Sequence, residues 1–169
     1  MYPCSMPQLI LMRHAKAANG SRDFKRPLTR TGREQAAHQA GPLSGRTGYV
    51  DLVLVSAAER TLQTLEALTS GGLQVGEVRP SDELYGAGWV DVLDMLREVP
   101  ADSRTVLVVG HEPTMSTATA MLADPDSPAY GELRAGFPTA TAALGRVEEW
   151  ATIGRGELYI SEVLRPVVR

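Results

Sequence analysis

The chain has 169 residues, 43% of them hydrophobic and 22% charged, with a formal net charge of −3. A chain of this length buries roughly 70% of its unfolded surface and needs no disulfide or metal staple. The only cysteine, Cys4, excludes an internal disulfide, and no run nears the roughly 20 apolar residues that span a bilayer.

The N-terminus MYPCSMPQLILM lacks the basic region and long apolar core of a signal peptide. Lone-cysteine usage fits a reducing compartment, so a cytoplasmic, non-membrane protein is expected. Residues 1–6 are expected to form a loose tail on one domain covering residues 1–169. LILM (9–12) then reads as a strand, covered on both faces because apolar residues are continuous rather than alternating. It runs straight into Arg13 and His14.

Seven Lys/Arg fall within residues 13–34 against Asp23 and Glu34 alone, which leaves −8 for the rest of the chain. A basic rim on an acidic body points to an anionic ligand near the first loop. TGREQAAHQAGPL predicts a helix that begins at a capping Thr and stops at Gly41-Pro42. DLVLVS (51–56) predicts a second strand. ERTLQTLEALTSGG predicts a helix ending at Gly71-Gly72. A short strand follows near 75–79, then a helix in WVDVLDMLREVP that ends before Pro100. TVLVVG (105–110) is a further strand, and EPTMSTATAMLADP a helix with Pro113 near its first turn. TATAALGRVEE and GELYISEVLRP predict two strands, antiparallel to each other. The order predicts an α/β fold: a three-layer α/β/α sandwich with a mostly parallel central sheet, helices on both faces and an antiparallel C-terminal strand.

Ligands of open α/β sheets sit beyond the carboxyl ends of the strands. Three such ends carry chemistry here: Arg13 and His14, then Ser56 with Arg60 beyond it, then Gly110 and His111. Guanidinium forks match phosphate oxygens and stay charged. A neutral imidazole can attack phosphorus, provided its other nitrogen is held as a donor; a backbone carbonyl after His14 would serve. The second imidazole would donate to the phosphoryl group, favoured as imidazolium by a dianion. An alkoxide leaving group needs an acid, and SDELYGAG (81–88) offers Asp82 and Glu83. Glu112, directly after His111, would either raise that imidazole's pKa or, turned inward, repel phosphate.

LILMRHAKA, VSAAERTLQT and VVGHEPTMS together resemble the histidine phosphatase superfamily, which includes the phosphoglycerate mutases. Its signature is an Arg-His pair ending the first strand, then S-x-x-x-R-x-x-Q-T, then Gly-His. The short chain and DFKRPLTRTGREQA (23–36) look most like the SixA-type phosphohistidine phosphatases. The resemblance covers about residues 8–122. It implies His14 as the phosphorylated nucleophile, Arg13, Arg60 and His111 as phosphate-binding groups, and Glu83 as proton donor. It implies no cofactor and a metal-independent phosphoric monoester hydrolase.

A chain this short has little room for the lid insertions that build a sugar-phosphate pocket. The expected substrate is therefore phosphohistidine on a phosphorelay protein of the histidine-phosphotransfer type; the alternative is a small phosphomonoester. The expected assembly is a monomer or weak dimer. A phosphate-binding module without turnover is a rival that does not need a nucleophilic histidine. Metal binding through His14, His38 and His111 lacks the usual spacing. Nucleic-acid binding is disfavoured because aromatics make up only 5% of the chain.

Overall fold

The computed structural model describes residues 6–167. Cys4 and residues 1–5 of the expected tail lie outside the described residues. Met6, also expected in that tail, accepts a hydrogen bond on its carbonyl from Arg146 Nη1 at 2.9 Å.

Six strands form one sheet: β1 (Gln8–Arg13), β2 (Val50–Ser56), β3 (Val75–Ser81), β4 (Thr105–Gly110), β5 (Ala142–Arg146) and β6 (Tyr159–Leu164). Their spatial order is β3-β2-β4-β1-β5-β6. The pairs β1/β4, β2/β4 and β2/β3 are parallel. β5 runs antiparallel to both β1 and β6, so the reversal expected near the C-terminus falls on β5.

Successive side chains of a strand leave on opposite faces. Leu9 and Leu11 accordingly join one core with Leu93, Leu96, Met115 and Leu122, while Ile10 and Met12 join another with Ala36, Ala40, Leu65 and Leu68. The first core is roofed by α3 (Trp89–Arg97) and α4 (Thr114–Leu122), the second by α1 (Arg30–Thr47) and α2 (Glu59–Ser70). Central strands covered on both sides have no polar face to write into the sequence, which is why they read as unbroken apolar runs. β3 is an edge strand with an exposed middle, and there Pro80 is tolerated because its missing N–H faces no partner strand.

Two boundaries differ from expectation. The cap of α1 is Thr29, whose hydroxyl accepts from Gly32 N at 2.9 Å. The helix also runs through Gly41-Pro42 to Thr47 and stops at Gly48, in the left-handed region at φ 62°. Pro42 removes one helical hydrogen bond, but Leu43, 1% exposed, anchors the next turn in the core. Burial outweighs the local stop signal. In α2 the buried face is Thr61, Thr64, Leu65 and Leu68, and Leu62 points outward.

Candidate active site

Because β1 and β2 both flank β4, the carboxyl ends of these three strands lie side by side. His14 N donates to Gly110 O at 3.0 Å, which ties the first end to the third. His111 Nε2 lies 2.8 Å from Ser56 Oγ, which ties the third to the second. The rings of His14 and His111 are 5.4 Å apart between centroids.

His14 Nδ1 is 2.6 Å from Ala15 O. A carbonyl only accepts, so Nδ1 carries the proton and Nε2 keeps its lone pair. The loop that provides this carbonyl is itself held: Ala15 N donates to Thr64 Oγ1 at 3.0 Å, and Lys16 N to Gln35 Oε1 at 3.0 Å. Burial pushes the His14 pKa from 6.5 to about 3; the bond to Ala15 opposes this, while His111, Arg13 and Arg60 reinforce it. His14 is therefore neutral at pH 7.

Arg13 Nη1 donates to Phe137 O at 2.9 Å, and burial pulls its guanidinium below the ordinary value, opposed by the Glu112 carboxylate. Arg60, 5% exposed, donates from Nη1 to Asp23 O at 2.8 Å and from Nη2 to the Asp23 carboxylate at 3.2 Å. The Nε atoms of both arginines are buried without a partner among the described residues. Tyr85 completes this corner. Its hydroxyl donates to the Asp23 carboxylate, Arg60 lies 5.8 Å over its ring, and the ring stands edge-on to His111 at 5.4 Å. The Tyr85 hydrogen bond, with Arg60 and Arg26 behind it, brings Asp23 down to about 2.

Burial, followed by the charge of Arg60, pushes His111 down to about 4. Glu112 does not raise His111; its carboxylate accepts from Ser116 N at 2.8 Å and from the Ser116 hydroxyl, while the residue lines the same cavity.

A cavity of about 270 Å³ is lined by Arg13, His14, Arg60 and His111, with Lys16, Arg26, Glu112 and Thr139 at its walls. The four predicted groups are thus brought together. Glu83 is not: it is exposed at the start of a 3-10 turn, Glu83–Gly86, and does not line the cavity. The same turn sends Tyr85 inward instead. His38 is exposed on α1, apart from the other two histidines. Asp23 and Tyr85 join this corner of the site beyond the residues that the motifs name. Asp23 left one trace in the sequence, as a rare acid in a strongly basic segment; Tyr85 left none. A larger cavity of about 410 Å³ lies between α1 and α2, but no histidine lines it, so volume alone does not locate the chemistry. Among the described residues no group of three or more His, Cys, Asp or Glu is placed to hold a metal ion, and no helix is long and apolar enough to cross a membrane.

No protein-family model matches the chain. The Mycobacterium tuberculosis protein Rv1276c, itself uncharacterised, is 36% identical over 151 residues, 86% of this chain and 93% of its own. A solved structure from Nakamurella multipartitia, provisionally named phosphohistidine phosphatase SixA, superposes with a TM-score of 0.84 at 40% identity, over 95% of this chain and 96% of that one. A protein histidine phosphatase SixA, solved in complex with tungstate, superposes with a TM-score of 0.74 at 25% identity, over 94% and 97% of the two chains. With that likeness along nearly the whole chain, and with Arg13, His14, Arg60 and His111 gathered at one cavity, the chain belongs to the histidine phosphatase superfamily, among its SixA-type members.

Proposed function

We propose that the chain hydrolyses phosphoryl groups through a covalent intermediate on His14, and that its substrate is phosphohistidine on a phosphorelay-type protein. The observation that carries this reading is the 2.6 Å contact between His14 Nδ1 and Ala15 O, which leaves Nε2 as a lone pair among two arginines and a second histidine. A site that only bound phosphate would gain nothing from holding one imidazole as a nucleophile.

In the first step Nε2 attacks phosphorus; a P–N bond to His14 forms as the substrate's P–N bond breaks, and the departing imidazole takes a proton from solvent at the open mouth. Arg13 and Arg60 stabilise the charge on the phosphoryl oxygens, and His111 donates to one of them. In the second step water attacks the same phosphorus and His14 leaves, releasing inorganic phosphate. An imidazole is a good leaving group once protonated, so the outward position of Glu83 does not obstruct this reaction. The cavity of about 270 Å³ lies just below the range of pockets that enclose a whole small molecule. A site of this size suits a substrate whose bulk lies outside, as it does when the phosphate is displayed on a protein.

The test is brief incubation with a labelled phosphohistidine domain and, in parallel, with sugar phosphates. Label should map to His14, and His14→Ala should lose both the label and turnover. Label on another residue overturns the nucleophile. Sugar phosphates turning over while the phosphohistidine domain is untouched overturns the substrate.

A further inference from the structure

The two imidazoles of the cavity are held by partners of different character. His14 Nδ1 meets the Ala15 carbonyl, which can only accept. His111 Nε2 meets the Ser56 hydroxyl, which can donate or accept. The destination of the Ser56 proton therefore decides the state of His111.

Ser56 is wholly buried, at 0% exposure. Its oxygen already receives Ala58 N–H at 3.3 Å. The turn around it is fixed, because the Thr61 hydroxyl lies 2.7 Å from both Ser56 O and Ala58 O. Among the described residues, His111 Nε2 is the one acceptor paired with the Ser56 hydroxyl. On the other side of the ring, Nδ1 is buried and has no partner among the described residues. Were Nε2 to carry the proton, two faults would follow: the Ser56 proton would be buried without an acceptor, and Nδ1 would offer a lone pair to the oxygens of an anion. Each fault costs the desolvation of a buried polar group. If the hydroxyl donates to Nε2 the first fault does not arise, and Nδ1–H, still without a partner among the described residues, is left as a donor for an oxygen of the anion.

We propose that Ser56 is a positioning residue that fixes His111 as the Nδ1–H tautomer, so that the cavity holds an imidazole lone pair on His14 and an imidazole N–H donor on His111. The proposal rests on reading the cavity as a phosphoryl site. The ring it orients is neutral at pH 7: burial and the neighbouring Arg60, Arg13 and Arg26 outweigh Asp23 in setting its charge. A neutral ring has only one proton to place, so its partner determines whether it attracts or repels phosphate. The ring of Tyr85 packs edge-on against the same imidazole, 5.4 Å between centroids.

The experiment is a long-range nitrogen–proton correlation spectrum of the full chain, labelled with nitrogen-15 in histidine, at neutral pH without phosphate. His111 is assigned by the signals lost in His111→Gln. The expected pattern is a protonated Nδ1 and an unprotonated Nε2 on His111, with the same pattern on His14. A protonated Nε2 on His111 overturns the proposal, whether or not the chain turns over any substrate. Conversely, failure to hydrolyse any phosphodonor would sink the functional reading and leave the tautomer standing. In Ser56→Ala the His111 signals should move toward the Nε2–H form, and inorganic phosphate should bind about tenfold more weakly, the size of one lost hydrogen bond. Unchanged signals and unchanged phosphate affinity in a folded Ser56→Ala chain also overturn it. Should that variant not fold, the wild-type spectrum decides alone.

Discussion

Asp23 holds Arg60 through both its backbone carbonyl and its carboxylate. On the proposed reading a phosphoryl oxygen seeks the same N–H groups, so the carboxylate would compete with substrate for one fork of the site. Asp23→Asn keeps the backbone contact and removes the charge. Inorganic phosphate should then inhibit at a concentration about threefold lower, as expected for a partly exposed charge-assisted bond; a higher inhibitory concentration would mean that the carboxylate instead aims Arg60 at the phosphoryl group. Glu83 makes the opposite case. It is exposed and outside the cavity lining, so Glu83→Gln should leave the proposed phosphohistidine turnover within about twofold, the range of an ordinary surface substitution. A deep loss would show that the turn carrying Tyr85 swings Glu83 inward during the reaction.

Between residue and molecule, the junction of β1 with α1 sets His14, the proposed nucleophile, in place. Gly32 lies in the first turn of α1, and a Cβ there would overlap the Lys16 carbonyl oxygen. That same oxygen accepts from Thr29 N at 3.0 Å, so the backbone just past His14 is clamped to the helix start. Gly32→Ala must push the two apart. The expected cost is about 2–3 kcal/mol in a denaturant titration, with a matching fall in phosphoenzyme formation because the Ala15 carbonyl moves with Lys16. Stability within error of the wild type would show that this approach is not a tight constraint. α1 also carries the clearest departure from local sequence rules. Its passage through Pro42 is set by the burial of Ala36, Ala40 and Leu43 against the sheet, which a window of neighbouring residues does not reveal.

For the whole molecule, gathering two neutral imidazoles in a cationic cavity couples the site to stability. His14 and His111 have folded pKa values of about 3 and about 4, against 6.5 when unperturbed. Below about 6.5 the unfolded chain takes up protons that the folded chain refuses, so stability falls as pH drops through this window and is restored as pH rises. Asp23, depressed to about 2, acts only below its ordinary 3.8, beneath that range. His14→Gln should therefore shrink the stability lost between pH 7 and pH 5 by about 2 kcal/mol, measured by urea unfolding at both values; an undiminished loss would mean that His14 is not held neutral. Taken alone, the sequence determined the strand cores and the three strand-end motifs, because a doubly covered strand must be apolar throughout and its polar end must lie at the sheet edge. It also determined which four side chains meet, since parallel strands deliver their carboxyl ends to one side. Only the tertiary structure decided that Tyr85 and not Glu83 turns inward, that Asp23 crosses to Arg60, and that Ser56 reaches His111. Those contacts join residues 37 to 62 positions apart, and the direction of such side chains is set by the packing of whole elements, which no local pattern encodes.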